Sequence, residues 1–234
     1  MAGRDIRLSA SDGSGDFAVY VPDAGDAKMP GLVLLHEILG ITGWIRETAD
    51  MFAGQGYLVA VPEMFWRLEP GFVADFRIPE QREKGLEYRG LLDHDKCIED
   101  IAAVMGYLRA DPRWNGKIAV TGFCTGGTMA YLSAARLKPD AVSVYYGTQI
   151  QDFLSENGTV ECPTILHMGD QDEHVPEAIA NEIKFALNGH PAIDIFEYPG
   201  AGHAFCNTER ETHYQAEASD LAHRRTFELF GRLK

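Results

Sequence analysis

The sequence has no run of about 20 apolar residues, the length that a helix needs to cross a bilayer. Its first residues, MAGRD, are not followed by the apolar segment of a secretory signal peptide. Cysteines number only 4, and their wide spacing fits neither a zinc site nor a disulfide framework: Cys97, Cys124, Cys162 and Cys206. These absences lead us to expect a protein of the reducing cytoplasm that holds no metal and does not associate with membrane.

Basic residues are also scarce. Lys and Arg total 21 against 35 Asp and Glu, which gives a formal net charge of −14. An acidic surface repels phosphate backbones and anionic lipid, so nucleic acid is not an expected partner. An anionic substrate would in turn need a locally basic pocket.

Short apolar runs and helical patterns alternate from residue 31 onward. The runs predict buried strands at residues 31–36, 57–61, 117–121, 141–146, 164–168 and 194–198. The patterns between them predict helices, the clearest at residues 45–55, 98–111, 125–136, 176–187 and 213–233. Residues 5–21 predict a hairpin that turns at residues 12–15. The alternation predicts an α/β fold with a mostly parallel twisted sheet and helices on both faces, in one domain over residues 1-234.

The strand at residues 117–121 leads into Gly122-Phe123-Cys124-Thr125-Gly126-Gly127 and then into a helix. This is the context of the nucleophile elbow of the α/β-hydrolase fold, with cysteine where serine is more usual. Small residues flank the nucleophile because the backbone packs tightly at a strained turn. The helix N-terminus lowers the pKa of a thiol and supplies N–H groups for an oxyanion. Cys124 is therefore the predicted nucleophile, and a phosphate-binding glycine loop or a plain tight turn is the alternative.

A catalytic acid is expected after a later strand. Residues 164–168 run into Gly169-Asp170-Gln171-Asp172-Glu173-His174-Val175-Pro176. Asp172 lies on the loop after the strand and just before a helix, the place of the acid in this fold. Asp172 is the prediction, although it could merely cap that helix while Asp170 acts as the acid.

A catalytic base is expected after the last strand, where the chain reads Gly200-Ala201-Gly202-His203-Ala204-Phe205. The chain has 8 histidines, so the catalytic one has to be identified by its place in the sequence. His203 follows the nucleophile and the acid in the chain order that this fold uses. His174 is a weaker candidate because it adjoins the acid.

These residue types suit acyl transfer. Cys124 would attack a carbonyl carbon and form an acyl-enzyme. His203 would orient or accept the thiol proton and later activate water, while Asp172 would fix the His203 tautomer. The backbone N–H groups of Ile38 and Thr125 would form the oxyanion hole.

Four segments of the chain resemble the dienelactone hydrolase (carboxymethylenebutenolidase) family: residues 36–40 (HEILG), 122–127, 169–176 and 201–205. The resemblance implies a cofactor-free hydrolase of carboxylic ester bonds, whose typical substrate is a cyclic enol-lactone that bears a carboxylate. It also implies that Glu37 interacts with Cys124 and helps to form the thiolate as substrate arrives. A carboxylate near a desolvated thiol can take its proton, and an exposed loop glutamate is the alternative.

Arginines anchor the substrate carboxylate in that family. Residues 80–83 (EQRE) resemble the segment that carries one of them, so Arg82 is a candidate for substrate binding, and a surface arginine on a charged helix is the alternative. The position of the second arginine is Asn207, which can hydrogen-bond a carboxylate but brings no charge. The resemblance also suggests that Tyr145 lines the pocket, whereas Tyr145 and Tyr146 could equally be core aromatics.

The expected substrate is a small lactone or an activated enol ester, and both anionic and neutral molecules of this kind are candidates. A thioesterase or carboxylesterase acting on another small substrate is the alternative within hydrolases. A redox-sensing thiol at Cys124 is the alternative outside them. The sequence leaves both a monomer and a dimer open.

Overall fold

The computed structural model describes residues 3–234, so Met1 and Ala2 of the amino-terminal segment considered above lie outside it. The chain forms two compact units. The first reaches Ala119 and includes Lys234, and the second is Val120–Leu233. The expectation of one domain over residues 1-234 stays a prediction.

The first unit begins with four strands and three helices. In chain order they are β1 (Arg4–Ser9), β2 (Asp16–Val21), β3 (Met29–Leu35), α1 (Gly43–Gly54), β4 (Leu58–Pro62), α2 (Pro79–Leu91) and α3 (His94–Ala110). The following strand, β5 (Trp114–Phe123), runs from this unit into the second.

The strands of the first unit lie in the order β1-β2-β4-β3. β1 and β2 form the predicted hairpin, with Ile6 opposite Val19. β2 pairs antiparallel with β4, whereas β3 pairs parallel with β4, with Leu32 opposite Val59. Every residue of β3 and β4 is buried, which is why both strands read as continuous apolar runs.

The helices of the first unit begin where the sequence can satisfy their free N–H groups. Thr42 accepts a hydrogen bond from the Ile45 N–H at the start of α1, and Asp93 accepts one from the Lys96 N–H at the start of α3. α2 begins at Pro79, where a missing N–H costs nothing. The buried face of α3 carries apolar residues at the spacing of an α-helix, within the segment predicted to be helical: Ile98, Ile101, Met105 and Leu108.

The second unit continues the alternation of strand and helix. After β5 come α4 (Thr125–Arg136), β6 (Ala141–Tyr145), a 3-10 helix (Ile150–Thr159), β7 (Thr164–Gly169), α5 (Glu177–Leu187), β8 (Ile193–Tyr198) and α6 (Ala216–Gly231). No sequence pattern predicted the 3-10 helix, and α6 begins later than the predicted residue 213.

Strands β6, β7 and β8 are parallel neighbours in that order. Val144 lies opposite Leu166, which lies opposite Ile195. Because the three strands run the same way, the loops that follow them emerge at one edge, the edge at which parallel sheets carry their functional groups. These are the loops after Tyr145, Gly169 and Tyr198.

Within residues 3–234, the four cysteines are buried and form no disulfide. None of the helices described there is long and apolar enough to cross a membrane.

Candidate active site

Cys124 lies at the turn between β5 and α4, and its backbone is strained. Its φ of 56° and ψ of −117° lie in a region that residues with a Cβ rarely adopt. The Cys124 N–H donates to the Tyr145 carbonyl at 3.0 Å, and the Cys124 carbonyl accepts the Thr128 N–H at 3.2 Å. β6 and the first turn of α4 thus hold the strained conformation in place.

Two glycines make this turn sterically feasible. A Cβ on Gly122 would collide with the carbonyl oxygen of Gly126. A Cβ on Gly127 would lie 2.8 Å from the carbonyl oxygen of Tyr145, closer than such atoms approach in proteins. The small residues around the cysteine are therefore a packing requirement of the elbow.

The Cys124 side chain is 4% exposed and stands at the N-terminus of α4. The N–H groups at the start of a helix stabilise a thiolate and so favour a reactive cysteine. The Thr125 hydroxyl lies 3.9 Å from the Cys124 sulfur. The elbow thus supplies the electrostatic setting that a thiol nucleophile needs.

Asp172 lies on the loop between β7 and α5, and its carboxylate faces His203. The His203 Nδ1 lies 2.9 Å from one carboxylate oxygen and 3.1 Å from the other. One of these oxygens also accepts the backbone N–H groups of His174 and Val175. Burial raises the pKa of Asp172, but the His203 contact and the backbone donors outweigh burial and hold the pKa below its ordinary value.

The alternative acid, Asp170, is turned elsewhere. It is exposed, and its carboxylate accepts the Gly200 N–H at 2.6 Å. Asp170 therefore braces the loop that follows β8, while Asp172 is the aspartate that the fold brings to His203.

His203 is buried, and yet the pKa of its ring is raised above the ordinary value. Burial lowers its pKa, but the charge of Cys124 and the bond to Asp172 more than offset this and raise the pKa to about 10. The ring is therefore protonated at neutral pH when Cys124 is ionised. Nδ1 is bound to Asp172, which leaves Nε2 to exchange protons during a reaction.

The loop that carries His203 is fixed by its own backbone and by Glu173 and His174, of which the sequence had singled out only His174, as the weaker candidate for the base. Ala204 has a φ of 60°, and the Glu173 carboxylate accepts the His203 N–H at 3.4 Å. The His174 ring stands edge-on to the His203 ring at 4.5 Å between centroids. No group of three or more His, Cys, Asp or Glu side chains in residues 3–234 is arranged to hold a metal ion.

The strained cysteine elbow and the buried Asp–His pair both lie within the part of the chain that matches a known family. The model of the dienelactone hydrolase family matches residues 17–234. The chain belongs to the dienelactone hydrolase family. It is a hydrolase of ester bonds, as the motifs predicted.

Curated members of the dienelactone hydrolase family match nearly the whole chain. A carboxymethylenebutenolidase of Pseudomonas putida is 31% identical over 229 residues, covering 98% of this chain and 96% of the relative. Carboxymethylenebutenolidase 1 of Cupriavidus pinatubonensis is 32% identical over 229 residues, covering 98% and 97%. The predicted family is thereby confirmed.

Solved structures confirm the predicted α/β-hydrolase fold. A dienelactone hydrolase-like promiscuous phosphotriesterase from metagenomic libraries superposes with a TM-score of 0.81 at 20% identity, covering 100% of this chain and 99% of that one. The Pyrococcus furiosus esterase Pf2001 superposes with a TM-score of 0.69 at 16% identity, covering 94% and 90%.

The two tyrosines at the end of β6 take different places in this dienelactone hydrolase family member: Tyr145 is the last residue of the strand and Tyr146 follows it. Tyr145 is fully buried, and its hydroxyl bonds to His223 and Thr226 of α6. Tyr146 has a φ of 37°, and its ring stands edge-on to the His203 ring at 5.1 Å. Tyr145 is thus placed as a core aromatic, and the pocket role that the resemblance gave it stays a prediction. Strand alternation alone could not show that Tyr146 adjoins His203, because the positive φ of Tyr146 ends the strand.

Asn207, where the resemblance led us to expect a second arginine, is buried in a turn. Its side-chain oxygen accepts the Glu209 N–H at 2.9 Å, and its own N–H donates to the Ala204 carbonyl. The side chain brings no charge, and the oxygen already serves the local backbone. Its role in substrate binding stays a prediction.

The first unit holds the remaining candidates. Glu37 and Ile38 are buried in the loop after β3, and His36 secures that loop: its Nδ1 lies 2.6 Å from the Glu37 carbonyl, while its Nε2 accepts the Met64 N–H at 3.0 Å. Since Nε2 accepts, Nδ1 carries the proton, and burial lowers the pKa of His36 to about 4, so the ring stays neutral. The burial of Glu37 excludes the alternative of an exposed loop glutamate.

Arg82 lies on α2 and is half-buried. Its guanidinium lies 5.3 Å from the centre of the Phe76 ring. A Cβ on Gly85, one turn along α2, would lie 2.5 Å from the Ile38 carbonyl oxygen, so this helix packs closely on the Glu37–Ile38 loop. The roles of Glu37, Ile38 and Arg82 toward Cys124 stay predictions.

Proposed function

We propose that this family member hydrolyses a small lactone or activated enol ester through a Cys124–His203–Asp172 triad and an acyl-enzyme, in the reducing cytoplasm. The observation that carries the proposal is the buried Asp172–His203 pair, with 2.9 Å between carboxylate and Nδ1, in the same unit as a cysteine held at a strained elbow. A redox-sensing thiol has no need of such a pair, which argues against that alternative.

In the proposed first step, the Cys124 thiolate attacks the carbonyl carbon and a C–S bond forms. The carbonyl oxygen becomes an oxyanion, which the N–H groups of Thr125 and Ile38 stabilise. When the oxyanion collapses, the ester C–O bond breaks and the departing enolate takes the His203 Nε2 proton, which leaves His203 neutral. The product of this half-reaction is a thioester on Cys124.

In the second step, neutral His203 takes a proton from water, and the resulting hydroxide attacks the thioester carbonyl. The C–S bond breaks and the carboxylic acid product is released, which restores the thiolate and the imidazolium. Asp172 holds Nδ1 throughout, so that Nε2 stays directed at the reacting groups. Glu37 is proposed to take the Cys124 proton as substrate arrives and to return it to the sulfur after the product has left.

The nucleophile favours substrates with good leaving groups. A thiolate is itself easily expelled from a tetrahedral intermediate, so it competes poorly with an amine or an alkoxide as the group that leaves. Enolates and aryloxides leave more readily than either. The proposal therefore covers enol-lactones and activated esters and excludes amides.

The proposal is tested by trapping the intermediate. Protein mixed with cis-dienelactone or an activated aryl ester and quenched in acid within the first turnover should carry one acyl group per chain, located on Cys124 by peptide mass spectrometry. Prior alkylation of Cys124 should abolish both the adduct and turnover. Turnover with no adduct, or with an adduct on another residue, would contradict the mechanism.

Arg82→Ala tests whether the substrate carries a carboxylate. If Arg82 anchors it, kcat/KM for an anionic lactone should fall about 10- to 100-fold, the value of a charge-assisted hydrogen bond. The value for a neutral aryl ester should change less than about threefold. Arg89→Ala, on the same helix, is the matched control and should leave both values unchanged. Equal losses on both substrates in the Arg82 variant would refute the anchoring role.

One observation favours a second candidate, a carboxylesterase or thioesterase that acts on neutral substrates. Asn207 stands where the family has its second arginine, and its side-chain oxygen is bound to a backbone N–H. A pocket with one arginine fewer binds a carboxylate less tightly. A panel of neutral esters and thioesters compared with anionic lactones separates the two candidates.

A further inference from the structure

A single hydroxyl on the carboxyl-terminal helix sits at the centre of a buried polar network. The Thr226 Oγ1 lies 2.6 Å from the Tyr145 hydroxyl, 2.8 Å from the Ser143 hydroxyl and 3.0 Å from the His167 Nε2. All four side chains are fully buried. α6 is thereby bound to β6 and β7 by side-chain hydrogen bonds rather than by apolar contact alone.

The network is neutral and saturated at its centre. A threonine hydroxyl gives one hydrogen and accepts two, so three partners use all its capacity. Burial raises the pKa of Tyr145 and lowers that of His167, each well away from its ordinary value, so neither ionises near neutral pH. The His167 Nδ1 lies 2.7 Å from the Tyr198 hydroxyl, which extends the network to β8.

Three residues of this network, Tyr145, His167 and Tyr198, also support the loops of the proposed triad through their backbone carbonyls. The Tyr145 carbonyl accepts the Cys124 N–H at 3.0 Å, and the His167 carbonyl accepts the Tyr146 N–H at 2.8 Å. Tyr146 in turn packs against His203. The Tyr198 carbonyl accepts the N–H groups of Asp170 and Ala201, in the loops that carry Asp172 and His203. The network thus joins the supports of all three triad residues.

We propose that Thr226 is a positioning residue, whose hydroxyl sets the relative alignment of the elbow at Cys124 and the loops of Asp172 and His203 from behind the catalytic edge of the sheet. The expected effect of Thr226 on kcat rests on the proposed hydrolysis through Cys124. The alignment itself does not depend on the substrate, because every bond that carries it is internal to the second unit.

The test compares Thr226→Val, which keeps the shape and removes the hydroxyl, with Thr226→Ser, which keeps the hydroxyl. Thr226→Val should lower kcat for an activated aryl ester about 10- to 100-fold, the effect of a shift of about 1 Å in a catalytic group, with KM within about twofold. The iodoacetamide alkylation rate of Cys124 should fall as well, and its pH midpoint should move. Thr226→Ser should restore most of kcat and the alkylation profile.

Thr164→Val is the matched control. Thr164 is equally buried, but it lies at the amino end of β7 and its hydroxyl donates to the Cys162 carbonyl at 3.0 Å. It should lower the melting temperature as Thr226→Val does and leave kcat and Cys124 alkylation unchanged. If Thr226→Val does not fold, Tyr145→Phe removes one arm of the network and should shift the same readouts in the same direction by a smaller factor.

The outcomes separate this inference from the proposed function. If Thr226→Val loses only thermal stability and matches wild type in kcat and alkylation, the positioning role is refuted and the function stands. If wild-type protein shows no turnover and no adduct on Cys124, the function fails, and the alkylation profiles still decide the positioning role. An equal loss of Cys124 alkylation in Thr164→Val and Thr226→Val would also refute the positioning role of Thr226, because the loss would then follow from lower stability alone.

Discussion

Cys124→Ala is expected to abolish turnover of lactones and activated esters. Loss of the nucleophile removes the acyl-enzyme route, and in comparable triads this costs about 10⁴- to 10⁶-fold in kcat. The elbow should survive, because alanine has the smaller side chain and the backbone bonds that hold residue 124 do not involve the sulfur. Steady-state hydrolysis of an aryl ester and of cis-dienelactone by purified wild-type and variant protein measures the loss.

A second thiol serves as the control for this substitution. Cys162→Ala removes a buried sulfur that lies 3.7 Å from the Thr164 hydroxyl and belongs to no proposed catalytic group. Its kcat should remain within about twofold of wild type, since such a change acts on stability alone. Turnover that survives in Cys124→Ala while Cys162→Ala is also active would refute the cysteine mechanism.

Cys124→Ala should also change the pKa of the His203 ring. Its pKa of about 10 is sustained against burial by the charge of Cys124 and by Asp172. Without the thiolate, the desolvation that lowers the pKa meets less opposition, so the pKa falls. NMR titration of the His203 ring in wild-type and Cys124→Ala protein should show this downward shift. An unchanged pKa would mean that the sulfur and the imidazole are not electrostatically coupled.

Asp172→Asn should lower kcat by about 10⁴-fold, the loss that follows when the aspartate of such a triad is replaced by its amide. An asparagine can present an N–H to Nδ1, which forces the proton onto Nε2 and leaves no base toward the sulfur or water. The imidazolium that pairs with the thiolate also loses its counter-charge. Burst and steady-state kinetics of the variant measure the loss in each half-reaction.

Asp170→Asn is the matched control for the acid. Asp170 is exposed and accepts the Gly200 N–H, a bond that an asparagine oxygen also accepts. Its kcat should stay within about threefold of wild type. A larger loss in Asp170→Asn than in Asp172→Asn would reverse the assignment of the two aspartates.

The stability of the fold at acid pH provides an independent test of the lowered pKa of Asp172. Its pKa is held below the ordinary value in the folded chain, so its ionised form stabilises the fold above the ordinary carboxyl pKa. That contribution is lost as the pH falls through the lowered folded pKa. Unfolding measured against pH should therefore show a smaller acid-induced loss in Asp172→Asn than in wild type.

The elements of this fold could be predicted because hydrophobic periodicity is a local property. The buried runs of β3 and β4 and the inward face of α3 are visible in their own residues. Boundaries were less accurate: β5 begins at Trp114, three residues before the predicted strand. The 3-10 helix Ile150–Thr159 could not be predicted, because a 3-10 helix repeats every 3.0 residues and lacks the period of 3.6 that marks an α-helix in a sequence.

Within the site, the sequence singled out Cys124, Asp172 and His203 because the elbow motif and the chain order are both linear features. It could not show which tyrosine adjoins His203, since that depends on the positive φ of Tyr146. Nor could it show that Asp170 is bound to Gly200, because two loops must first meet.

The sequence by itself determined the family, the order of strands and helices, and the glycines without which the elbow would clash with its own backbone. Only the tertiary structure decided what supports the elbow from behind. Thr226 is 81 positions from Tyr145 in the chain, and nothing in its neighbourhood marks it as more than one residue of an amphipathic helix. Its role arises because packing α6 on the sheet buries three polar side chains that must find partners away from water. Local pattern can dictate where a helix forms, but which buried hydroxyl satisfies which strand is fixed only when the elements meet.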